Sequence, residues 1–115
     1  MDKGQKTSKL QEIAKENDIQ QEIKLGTTFT IGLAANNSYL FLGKTIAEVG
    51  PEENSTLPKN KLIGQKAKIA GIINRSSGFK IHVLRRQDGK NFYHSLTQIY
   101  ADVARALVAK ELKLL

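Results

Sequence analysis

At 115 residues, with 40% apolar and 25% charged side chains and a net charge of +7, the chain has the composition of one ordinary folded domain rather than a disordered tail. The absence of cysteine excludes disulfides, thiolate metal sites and a cysteine nucleophile. The charge is uneven: residues 59–90 carry nine Lys/Arg against one acid, Asp88, while residues 1–58 carry six Lys against eight Asp/Glu. The basicity is a local patch of the kind that attracts a polyanion.

The opening residues are polar, with no apolar core of a secretory signal behind them. No stretch approaches the roughly 20 apolar residues of a membrane span. A single domain over 1–115 and a cytoplasmic location are expected, with 1–5 as a tail. Residues 5–17 read as a short amphipathic helix, because Leu10, Ile13 and Ala14 share one face while Lys9, Glu12, Lys15 and Glu16 are solvated. From Ile23 to Leu33 apolar residues strictly alternate with smaller or polar ones, which predicts a strand.

Asn36-Asn37 suits a tight hairpin that sets Leu33 opposite Leu40 and Ile31 opposite Leu42. Residues 39–49 then continue as a strand; the alternative is a helix capped by Ser38 and stopped by Gly50-Pro51, since Leu42, Ile46 and Val49 also fall at helical spacing. Residues 50–64, with both prolines of the chain, are expected to form a long surface loop. A second hairpin follows over 66–88, turning at Ser76-Ser77-Gly78 with Gly78 left-handed. Uninterrupted alternation there puts Lys66, Lys68, Lys80, His82 and Arg86 on one face, spread over about 20 Å by strand rise. Ser95 is a candidate cap for a long C-terminal helix with Ile99, Val103, Ala106 and Leu107 along one stripe. The expected fold is therefore α+β in the order α-β-β-β-β-α: an antiparallel sheet of about four strands with both helices packed on it.

Few residues suggest a reaction. His82 and His94 are the only histidines and lack metal-ligand spacing, and neither a dinucleotide nor a phosphate-loop glycine motif occurs. No catalytic residue, cofactor or metal is expected, and the protein reads as a non-enzyme. The basic hairpin carries the functional expectation: nucleic-acid binding, mainly through phosphates, by Lys66, Lys68, Arg75, Lys80, His82, Arg85, Arg86 and Lys90, with Tyr93 as a stacking ring. DNA and RNA stay open, with a lean towards single strands. Seven of the nine residues in 101–109 are apolar, more than one packed face needs, so a homodimer with Val103, Leu107 or Val108 at the contact is expected. The alternative is an assembly or scaffold module, of phage or plasmid type, acting through that apolar helix.

Four strands followed by a helix resemble the ββββα unit of the Whirly and PUR-repeat nucleic-acid-binding families. Leu42-Gly43-Lys44-Thr45-Ile46-Ala47-Glu48-Val49-Gly50 is similar to a strand motif of PUR repeats, and Asp88-Gly89-Lys90 leading to Ser95 is similar to the unit's last crossover. The resemblance implies single-strand binding across a sheet by a dimeric or duplicated unit, and assigns no site residue.

Overall fold

Period-two burial dominates the chain. The computed structural model describes residues 23–50, 52–53, 55–75, 78 and 80–115. Its strands are β1 (Thr28–Ile31), β2 (Leu42–Gly43), β3 (Lys66–Asn74), β4 (Lys80–Arg86), β5 (Ile99–Ala101) and β6 (Leu112–Leu114). Two short helices, α1 (Lys59–Leu62) and α2 (Val103–Val108), and a 3-10 turn at Ile46–Glu48 complete the described elements. The strands join in the order β2-β5-β4-β3-β1-β6, every pair antiparallel, in one sheet curled into a half-barrel.

The four-stranded α-β-β-β-β-α arrangement with a long C-terminal helix is thus corrected to a six-stranded sheet with short helices. With it goes the ββββα order behind the Whirly and PUR-repeat resemblance. The expected N-terminal helix over 5–17 lies outside the described residues. The C-terminal error has a physical cause. Ile99, Val103 and Ala106 stand at helical spacing, but Ile99 and Ala101 also alternate about Tyr100, and pairing with β4 selects the strand: Leu84 faces Ile99 and His82 faces Ala101. The helix starts only at Asp102, whose side chain accepts a hydrogen bond from Arg105 N at 3.4 Å. It ends at Ala109, and Lys110, at φ 63°, turns the chain into β6.

The first predicted strand shrinks to β1. Backbone bonds from Gly26 N to Ile69 O and from Ile69 N to Thr27 O bring its leading end to β3, and Gly32 ends it. A Cβ at Gly32 would lie 2.4 Å from Lys110 O, so only glycine allows β1 and the α2–β6 turn to approach this closely. The Asn36-Asn37 hairpin does not form, and Leu33 is 70% exposed instead of facing Leu40. Residues 39–49 are neither a full strand nor a helix, but a two-residue strand and a 3-10 turn. The long loop is not wholly superficial, for Leu57 and Leu62 are buried in the core. The Glu48 carboxylate holds its approach, accepting hydrogen bonds from Lys44 N, Thr56 N and Thr56 Oγ1.

The core lies inside the curl. Phe29 and Ile31 of β1, Ala67 and Ile69 of β3, Leu84 of β4, Ile99 and Ala101 of β5 and Leu112 of β6 meet Tyr39, Leu62, Phe92, Val103 and Ala106. Burying each such Val-, Leu-, Ile- or Phe-sized side chain contributes about 1.5–3 kcal/mol.

Candidate nucleic-acid interface

The site begins with a register change. Near the tip of the β3–β4 hairpin, Asn74 pairs with Lys80, Ile73 with Ile81, Ile72 with His82 and Gly71 with Val83, as the turn chemistry predicts, and Gly78 is left-handed at φ 79°. Between Ile69 and Gly71 a bulge inserts Ala70, after which Ile69 faces Leu84, Lys68 faces Arg85 and Ala67 faces Arg86. One extra residue reverses the sidedness of one strand relative to the other. The single basic face expected from sequence is therefore split. Lys66 and Lys68 share the outer face with Arg85, while Lys80, His82 and Arg86 alternate in phase with the core residue Leu84.

The outer face gathers cations from three strands. Thr30 pairs with Lys66 on one side and with Lys113 of β6 on the other, forming a row Lys113–Thr30–Lys66. Two residues along, Thr28 pairs with Lys68 and Lys68 with Arg85, forming a second row. Lys66, Lys68, Arg85 and Lys113 are all exposed. Strand neighbours lie about 4.8 Å apart and alternate residues about 6.8 Å apart along a strand, so the rows set positive charge at intervals of roughly 5 to 10 Å. Among the described residues, no acid pairs with any of the four, the ion pairs being Arg86–Asp88 and Arg105–Asp102. Gln98 steadies the Arg85 guanidinium, accepting from Nε at 3.3 Å and Nη2 at 3.1 Å, and itself donates to Tyr100 Oη at 2.9 Å.

The other sequence candidates are dispersed. Arg86 is half-buried, donating to Asn91 O and pairing with Asp88 at 2.5 Å. A hydrogen bond from Lys90 N, followed by the Arg86 contact, holds the Asp88 carboxyl below its usual range. Lys90 is exposed in the loop after β4, and Arg75 is exposed at the hairpin tip. Tyr93 is half-buried against the core, its ring edge-on to His94 with centroids 5.4 Å apart. His82 is 6% exposed, and burial, reinforced by Lys80, pushes its pKa down. Of the three residues expected at a dimer contact, Val103 is buried in its own core, Leu107 packs partly against it, and Val108 is 66% exposed.

Sequence reasoning missed Lys113 and Gln98. Lys113 stands between Leu112 and Leu114, an alternation that signals a strand but was absorbed into the expected helix. Among the described residues no three His, Cys, Asp or Glu side chains cluster as a metal site would need, and no helix is long and apolar enough to cross a membrane.

A cleft of about 570 Å³ adjoins these rows beside the bulge, with Lys68, Arg85, Arg86 and Lys90 on its walls and no carboxylate residue among those lining it. A second recess, of about 440 Å³, between Lys66 and Arg86 includes Asp88. Comparison with protein-family models, curated proteins and solved structures gives no match.

Proposed function

We propose that the protein binds nucleic acid through the outer face of its curled sheet, as a binding protein rather than an enzyme. The observation that carries the proposal is the pair of cross-strand rows bearing Lys66, Lys113, Lys68 and Arg85, exposed and without paired acids among the described residues. Unpaired like charges this close repel one another in the free protein, and a polyanion relieves that repulsion while releasing its own counterions. Thr28, Thr30 and Gln98 interleave with the cations and add neutral groups able to hydrogen-bond phosphate or sugar oxygens. Lysine on a solvated sheet face often serves only to keep strands from pairing with other chains. Here, however, Lys66 and Lys68 lie on an interior strand flanked by β1 and β4, where no open edge needs that protection.

Reversing charge in Lys66→Glu, Lys68→Glu and Lys113→Glu together tests the role. All three side chains are exposed, so the variant keeps its fold, and affinity for a mixed-sequence oligonucleotide, read by fluorescence anisotropy, is expected to fall at least about a hundredfold through the lost phosphate contacts and added repulsion. A folded triple variant with wild-type affinity would rule the outer face out as the binding surface.

A further inference from the structure

We propose that the cleft beside the β3 bulge receives one unstacked nucleotide of a single-stranded nucleic acid, its phosphate between Lys90 and Lys68 and its base against Leu25 and the Arg85 guanidinium. This rests on the nucleic-acid-binding role above and adds to it where the strand enters and which form it takes. Four features of the cleft support it. Its volume, about 570 Å³, lies within the roughly 300–1,000 Å³ of sites that enclose small ligands. Its lining holds Lys68, Arg85, Arg86 and Lys90 and no carboxylate, and with Arg86 paired to Asp88 just outside it the recess stays net positive. Its walls also include Leu25, 64% exposed, and Ala70 at the bulge, apolar surface that a phosphate does not need and a base does. Finally, Gln98 holds Arg85 at two of its nitrogens, which fixes the guanidinium as a plane on which a base can stack.

Those features select between forms of the ligand. A duplex keeps its bases stacked and offers phosphates and groove edges, which the outer rows can meet without the recess. A single strand can turn a base out of its stack and lay it on an apolar or guanidinium surface, so only the single strand uses the cleft fully. The bulge itself is part of the design, since the extra residue both lines the cleft and brings Lys68 opposite Arg85.

The test compares one short mixed-sequence oligonucleotide, single-stranded and as a duplex, against the full-length protein and two variants. Leu25→Ser alters the cleft alone, at an exposed position that carries no charge; Lys113→Ala alters the outer row alone. The cleft variant is expected to lose about tenfold in single-strand affinity, equivalent to the removal of one stacked base, while its duplex affinity changes by about twofold or less. The Lys113→Ala variant is expected to weaken both forms alike. Equal losses for the two forms in the cleft variant, or none, would overturn the cleft proposal and leave the outer-face role standing. Failure of the wild-type protein to bind either form at low salt would overturn both.

Discussion

His82 shows how one side chain can be basic by type and apolar by position. Its Nδ1 is buried without a hydrogen-bond partner among the described residues, and its strand neighbours are Ile72 on β3 and Ala101 on β5. Burial, reinforced by Lys80, lowers its pKa from the ordinary value of about 6.5. Above about pH 6.5 both folded and unfolded forms are neutral and the full stability is present; as pH falls below that, the unfolded chain takes up a proton the folded chain resists, and stability declines until the folded pKa is reached. Urea unfolding at about pH 7.5 and about pH 5.5 should therefore show lower stability at the acid end, and His82→Leu should flatten the slope. An identical slope in the variant would mean that other groups account for the acid sensitivity. Sequence alternation placed His82 in phase with Lys66 and Lys68. Gly71 is the one local sign of an irregularity in that strand, but a strand glycine does not fix where an extra residue falls, so the separation was not legible. Gly78 and the four pairs next to it were legible because turn chemistry is local.

At the scale of elements, the half-barrel is held across its open side by a carboxylate. Glu111, at the start of β6 and fully buried, accepts hydrogen bonds of 2.8 Å from the backbone N–H groups of Ala35, Leu40 and Phe41. It thereby joins the segment leading into β2, one edge strand, to β6, the other. Tyr39 lies in the same segment, donating to Gly32 O at 2.8 Å, and burial together with the Glu111 charge pushes its phenol up to about 12. Glu111→Gln would set an amide NH₂ against at least one of these donors, and leaving a buried donor unpaired costs about 1–3 kcal/mol. A loss of that size in urea unfolding is expected, and an unchanged midpoint would show that the junction is held by packing alone. No local pattern marks Glu111 for this role: its partners are some 70 residues away, and next to Lys110 and Lys113 it reads as a solvated helix residue. The same blindness to distance turned β5, α2 and β6 into one helix. Apolar spacing in 99–107 satisfies both periods, and contacts with β4 and β1 decide between them.

For the whole molecule, the basic excess of residues 59–90 was legible as a local patch, while its shape was not. Chain order puts Lys113 far from Lys66, and the sheet sets them in one row across Thr30. The molecule's cationic face is thus a product of topology, and its claim to function depends on phosphates meeting several of those charges at once. Salt dependence reads that number directly. For single-stranded nucleic acid, each neutralised phosphate contributes a slope of about −0.7 in log Kobs against log salt, so contacts from Lys66, Lys68, Arg85 and Lys113 predict a slope of about −3. Measured by anisotropy over a range of salt concentrations, the wild-type protein should give that slope, and the Lys66→Glu, Lys68→Glu, Lys113→Glu protein should lose most of it. A slope near zero, or the same slope in both proteins, would contradict nucleic-acid binding by this face.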